Sequence, residues 1–290
     1  MNRTSLFAAL ALVGFAGNSL LCRLALADGA IDAASFTAVR LVSGALALFL
    51  IAGSWRETAR SGSVASAAVL FVYAAPFSYA YLRLGAALGA LVLFGVVQAT
   101  MIGWGLVRGE RPSPSVWIGL CLALAGLVGL TAPGATSPDL AGVGAMAVAG
   151  VCWGVYSLHG RSSRSPLRTN AANFLLSAPL AGALLYGAHE LAGLHGSPRG
   201  LLLAALSGAV TSGVGYSLWY AALPGLTATR AAVLQLTVPV LAAGGAVVLL
   251  GERVSLRLLL TGAAILGGVA LSIRGSSAAR RSHTGGQPRA

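Results

Sequence analysis

Lysine is absent from this 290-residue chain, and aspartate and glutamate together number seven. Charged residues make up 9% of it, where a soluble domain carries roughly 25%. That shortage excludes a water-soluble globule. The acids are Asp28, Asp32, Glu57, Glu110, Asp139, Glu190 and Glu252, each in a loop or at the edge of an apolar stretch. No carboxylate is therefore left in mid-membrane to shuttle protons. Paired aspartates and histidines at metal spacing are missing too, so the groups an intramembrane protease or transferase needs are not there. No P-loop is present, so ATP does not drive the chain directly. The three cysteines, Cys22, Cys121 and Cys152, form no CxxC pair and read as small buried hydrophobes. No metal or cofactor is expected.

What the chain has is hydrophobicity: 57% apolar residues and a mean hydropathy of +0.82. A spanning helix needs about 20 mostly apolar residues. Stretches of that length fall at 5–27, 33–52, 64–82, 85–107 and 115–132, then at 140–159, 171–190, 200–222, 226–250 and 256–273. The expected fold class is an all-α integral membrane protein of ten transmembrane helices in a lipid bilayer. The first stretch has a signal-peptide look, with Arg3, an apolar run and Ala25-Leu26-Ala27. Its apolar character continues to about Ala27, so it reads as a retained span. Residues 275–290 are polar and read as a disordered tail.

The formal charge of +12 rests on 19 arginines. They form no stripe for nucleic acid; most lie in loops and at the tail. Arg3, Arg56, Arg60, Arg108, Arg111, Arg161, Arg164, Arg168, Arg274, Arg280, Arg281 and Arg289 fall on one side of a ten-span topology. Asp28, Asp32, Asp139 and Glu190 fall on the other. The positive-inside rule puts both termini in the cytoplasm of a cell whose inner membrane holds the protein. Arg253 and Arg257, between the ninth and tenth spans, run against that count.

The chain also repeats. Residues 80–130 lie without gaps on 222–272, which brings Gly109-Glu110-Arg111-x-Ser113 onto Gly251-Glu252-Arg253-x-Ser255. A unit of five spans is odd, so the second copy enters the membrane upside down. Residues 1–134 form the first repeat and 135–274 the second. Inverted repeats with a substrate site at their interface are a transporter design.

From Tyr216 onward, YSLWYAALPGLTATRAAVLQLTVPVLAAGGAVVLLGERVSLRLLLTGAAILGG resembles the second repeat of an EamA-type transporter of the drug/metabolite transporter superfamily. Phe36 to Arg40, Gly109-Glu110-Arg111 and Ala149-Gly150-Val151-Cys152-Trp153-Gly154 resemble other motifs of that family. In the first helix the Trp is missing at Ala16-Gly17. The resemblance implies two inverted five-helix repeats around a central cavity lined by the first, third, fourth, sixth, eighth and ninth helices. It also implies transport, with export most common, of amino acids or other small metabolites. No enzymatic activity is expected. The alternatives are an intramembrane enzyme acting on lipid-linked substrates and a non-transporting membrane scaffold. The oligomeric state is open, and a monomer is admissible.

Arg40 and Arg230 sit within apolar spans, where a charge costs about 2.5–3.5 kcal/mol or more. Arg40 reads as a partner for a substrate carboxylate or as a brace for carbonyls; Arg230 can also reach inward from its helix start. The remaining candidates for a substrate-binding cavity are Asn18, Tyr79, Gln98, Trp153, Tyr156, Tyr216, Trp219 and Gln235. They supply a few donors among aromatic walls, and each has the alternative of an interface belt or an interhelical bond. Pro76, Pro179 and Pro239 should kink their spans.

Overall fold

The computed structural model describes residues 2–131 and 139–284. Ten helices are long and apolar enough to cross a membrane. They are α1 Arg3–Leu26, α2 Ala33–Ala52, α3 Val64–Leu84, α4 Ala86–Val107, α5 Pro114–Thr131, α6 Leu140–Gly160, α7 Pro166–Leu191, α8 Pro198–Gly225, α9 Ala228–Leu250 and α10 Leu256–Arg274. Every expected span coincides with one of them. The largest displacement is α7, which begins at Pro166 because proline suits a first helical position, where no amide partner is needed.

Helix starts are written in the sequence. Asp32 accepts from the Ser35 amide at 2.8 Å, Asp139 from the Ala141 amide at 2.9 Å, and Thr227 from the Arg230 amide at 3.1 Å. Gly53 and Gly251 end α2 and α9 with φ of 70° and 68°, the left-handed geometry that favours glycine. Inside α9 the helix is interrupted at Leu236, three residues before Pro239. The proline ring displaces the carbonyl four residues back, and that is Gln235.

Residues Val64–Val107 are helical with no loop among them, yet the chain reverses direction inside this segment. Ser66 meets His159 at the end of α6 and Arg83 meets Asp139 at its start, so α3 runs antiparallel to α6. Beyond the junction, Leu84 lies at Gly142, Leu93 and Val96 at Gly150, and Thr100 at Gly154, so α4 runs parallel to α6. The two spans abut with no loop between them.

In lipid, helices associate by close packing rather than by expelling water. Glycines make the approaches: Gly119 of α5 lies against Gly268 of α10, and Gly44 of α2 against Phe174 of α7. The pairings follow an exchange rule. Helices α2 and α7, α4 and α9, and α5 and α10 pair with each other. Helix α1 packs on α8 and α9 as α6 packs on α3 and α4, and α2 packs on α8 as α7 does on α3. Successive spans alternate in direction, so the sixth runs opposite to the first. This is the arrangement that two inverted five-helix repeats require.

Ion pairs join groups on a common face. At the face where α1 begins (the inner face) Arg161 lies 3.6 Å from Glu110, and Arg168 pairs with Glu57. At the outer face Arg23 pairs with Glu252, Arg83 with Asp139 at 2.7 Å, and Arg199 with Asp28 at 3.6 Å. The last helix continues past its span to Thr284, so the tail expected to be irregular from Gly275 begins helical. Residues 285–290 lie outside the described residues.

Candidate functional site

Six helices converge on one cleft between the halves. Helix α1 contributes Phe15, Asn18 and Ser19, one face at helical spacing; α3 contributes Tyr73 and Phe77; α4 Leu93 and Phe94; α6 Trp153; α8 Tyr216; and α9 Gln235 and Val238. These are the helices that the family resemblance implied. Together they enclose a chamber of about 30 Å³, room for a water or two. Ser19, Phe77, Leu93, Phe94 and Val238 also line a second cavity of about 270 Å³, so the chamber is the floor of a larger cleft. Its upper walls are small and apolar, Ala86, Ala87 and Ala90 facing Pro239, Ala242 and Ala246. Arg23 and Glu252 stand at its mouth. The cleft opens at the face opposite the start of α1.

Aromatic rings build the floor. Phe15 meets Trp153 edge-on at 5.1 Å, and Trp153 lies 4.6 Å from Tyr216 and 5.0 Å from Tyr73. Offset and edge-on pairs of this kind are favourable beyond the area they bury. Trp153 Nε1 donates to Gln235 Oε1 at 2.5 Å, which fixes the amide as acceptor toward the ring.

Behind this floor lies Arg40, 1% exposed. Its Nε donates to Ser212 Oγ at 2.8 Å, and Nη2 donates to the Tyr73 hydroxyl at 3.4 Å and to the Tyr216 hydroxyl. Nη1 is buried without a hydrogen-bond partner. The guanidinium carbon also sits 5.4 Å from the Tyr73 ring centroid and 5.7 Å from that of Phe77. No ion pair among the described residues includes Arg40. The cation is thus held by neutral hydroxyls and ring faces. A π-helical stretch of α8, Ser207–Val214, makes this possible. Its wider turn presents Ser212 to Arg40 and lets Ser207 donate to Asn18 Oδ1 at 2.7 Å; such bulges recur at functional sites.

Below the floor the bundle is closed. Tyr156 donates to Asn170 at 2.7 Å, Trp219 to Ser157 at 3.1 Å, and the Tyr220 hydroxyl to the Tyr156 carbonyl at 2.9 Å. Nearer the inner face, Glu110 grips the start of α9. Its carboxylate accepts from the Ala228 amide at 2.7 Å, the Thr229 amide at 3.0 Å and the Thr229 hydroxyl at 2.8 Å. Burial acts to raise the Glu110 pKa, but the Thr229 and Ala228 bonds and the Arg161 charge outweigh it and hold the group below its ordinary value of 4.5. A carboxylate at a helix N-terminus is also favoured by the helix dipole.

The residues singled out in the sequence divide by place. Asn18, Trp153, Tyr216 and Gln235 line the cleft, and Arg40 backs it. Tyr156 and Trp219 belong to the closed layer beneath. Gln98 ties α4 to α9 through the Ala232 carbonyl at 2.8 Å, with its own Oε1 buried and unpartnered. Tyr79 is not brought to the cleft: it is 39% exposed and its ring lies 4.8 Å under the Arg83 guanidinium. Arg230 donates to the Ile273 carbonyl at 3.2 Å, away from the cleft. Sequence reasoning missed Tyr73 and Phe77. The available signal was the i, i+4, i+8 stripe Tyr73, Phe77, Tyr81, which shares one helix face. No group of three or more His, Cys, Asp or Glu that could hold a metal ion occurs among the described residues.

Comparison with known proteins places this geometry. The model of the EamA-like transporter family matches residues 140–274. An uncharacterized protein of Pseudomonas aeruginosa is 51% identical over 93% of this chain and 94% of its own length. An uncharacterized transporter of Bacillus subtilis is 29% identical over 80% of this chain and 81% of its own. A crystal structure described only as that of a protein superposes with a TM-score of 0.72 at 23% identity, covering 91% of this chain and 97% of that one.

Proposed function

This chain belongs to the EamA-like transporter family, and on that premise we propose that it moves small carboxylate-bearing metabolites, such as amino acids, by alternating access. The observation that carries the reading is the one-sided cleft between the halves: open at the outer face, closed beneath Trp153, and backed by a cation without a carboxylate partner. A cavity of about 270 Å³ sits near the lower end of the roughly 300–1,000 Å³ found for ligand pockets, which suits a small metabolite. Aromatic and alanine walls suit an apolar body, while the Tyr73 hydroxyl, which accepts from Arg40 and from the Tyr216 hydroxyl, has its own proton left to donate to the anionic end. The other access state arises when the two inverted halves rock about this floor. The chain acts as a carrier, not an enzyme, in the inner membrane with both termini cytoplasmic, and the physiological direction is export.

The test is transport by purified protein in liposomes, screened against labelled amino acids, other carboxylates, nucleosides and uncharged metabolites. Saturable movement of carboxylates that an Arg40→Gln variant has lost supports the reading. Movement of uncharged solutes only, unaffected by Arg40→Gln, overturns the substrate class. No movement of any compound overturns transport.

A further inference from the structure

The gap-free overlay of the repeats sets residue 86 on 228, 87 on 229 and 110 on 252. Glu110 and Glu252 are therefore counterparts, and so are the starts of α4 and α9. In the structure the two copies are in different states. Glu110 caps α9 at Ala228 and Thr229, with Arg161 3.6 Å away. Among the described residues Glu252 pairs with Arg23 alone, and it lines the open cleft together with Ala86 and Ala87, the residues it would have to cap. Arg161 follows α6 and Arg23 lies near the end of α1, the counterpart helix, so each glutamate has an arginine beside it, at positions that the overlay does not match.

The helix starts differ in the matching way. The inner junction is broken: a 3-10 turn at Leu223–Gly225 precedes α9, and the Thr227 side chain and Glu110 take up its first amides. At the outer junction no such turn intervenes, and α4 begins directly after α3. The first amides of α4, like those of any helix, have no acceptor within their own helix, and in an apolar setting each unmet donor is costly. Glu252 is the acceptor at hand.

We propose that Glu252 is the positioning residue of the outer gate, and that when the cleft closes its carboxylate caps α4 at Ala86 and Ala87 as Glu110 now caps α9. This rests on the alternating-access reading but does not depend on knowing the substrate. The two caps are unequal, because Thr229 gives Glu110 a third bond through its hydroxyl while its counterpart Ala87 has none. That inequality favours the state with the inner face shut.

The experiment is pulsed electron-spin distance measurement in liposomes without substrate, on full-length protein with Cys22, Cys121 and Cys152 replaced by alanine. Labels at Leu82 and Val254 span the outer mouth, and labels at Arg111 and Pro224 the inner face. Ala87→Thr supplies the missing hydroxyl. It should raise the population with a short outer and a long inner distance by roughly tenfold, the worth of one hydrogen bond to a charged acceptor. Glu110→Gln should shift the populations in the same direction, and Glu252→Gln in the opposite one. In the Ala87→Thr, Glu252→Gln double variant the gain should vanish. An equal gain with and without Glu252, or no gain in Ala87→Thr while Glu110→Gln still shifts the distances, overturns the outer cap and leaves alternating access standing. Distances that no variant shifts overturn both.

Discussion

On the proposed reading recognition turns on Arg40, whose buried guanidinium is balanced among the described residues by hydroxyls and ring faces. Arg40→Lys keeps the charge but loses the fork that reaches Ser212, Tyr73 and Tyr216 together. Transport of a carboxylate should fall in Lys and drop by at least about tenfold in Gln, with normal membrane abundance in both; a purely structural arginine predicts loss of abundance in step with activity. If the Tyr73 hydroxyl is the donor to the anionic end, Tyr73→Phe should reduce transport, whereas Tyr79→Phe should leave it unchanged. The contrast between these tyrosines also measures what the sequence could tell. Arg40 was visible as a charge in an apolar span, and Trp153 stood in a family motif. Tyr73 and Tyr79 are both tyrosines of α3, and composition alone cannot say which helix face meets the cleft; only the stripe formed with Phe77 and Tyr81 could. Trp219 and Tyr156 misled for a related reason: polar aromatics at cavity depth serve equally well in the layer that closes it.

At the scale of elements, hydropathy marked all ten spans, because crossing hydrocarbon imposes length and composition on each helix separately. It could not mark irregularities inside them. The π stretch in α8 and the break at Leu236 arise from bonding between neighbours and from Pro239, and only the proline is printed in the chain. Contacts between elements depend on small residues in the same way. A side chain at Gly119 would overlap the Gly268 carbonyl and Ser272. Gly119→Val should therefore cost about 1–3 kcal/mol, typical of overpacking, read as a lowered melting temperature in detergent. Gly95→Val is the control, since no atom lies within 4 Å of the methyl position there; its melting temperature should match the parent's.

For the whole molecule, arginine placement sets the expected sidedness, and Glu110 caps α9 at the face where α1 begins. An impermeant maleimide should label Leu194→Cys in intact cells and Ser61→Cys only after the membrane is permeabilised; the reverse order inverts the topology. The inner cap has a defined pH window. Because the folded Glu110 carboxyl titrates below its ordinary 4.5, the cap's stabilisation is complete above that value and is lost only as pH falls through the lower, folded value. Spin distances across the inner face should thus be the same at pH 7.5 and pH 5, and inner opening already at pH 5 would show that the cap does not hold the seal.

The loopless junction of α3 and α4 has a consequence for how the chain is made. From Ser61 to Val107 the sole charged residue is Arg83, which ends at the outer face against Asp139. During synthesis no hydrophilic loop has to be threaded through the bilayer at this point. The two spans can be delivered as one preformed apolar hairpin, with a single guanidinium as the cargo that must cross. Asp139 comes 56 residues later in the chain, so that charge waits at the far surface until the second repeat arrives to neutralise it, and the first half is committed to its orientation before its partner exists.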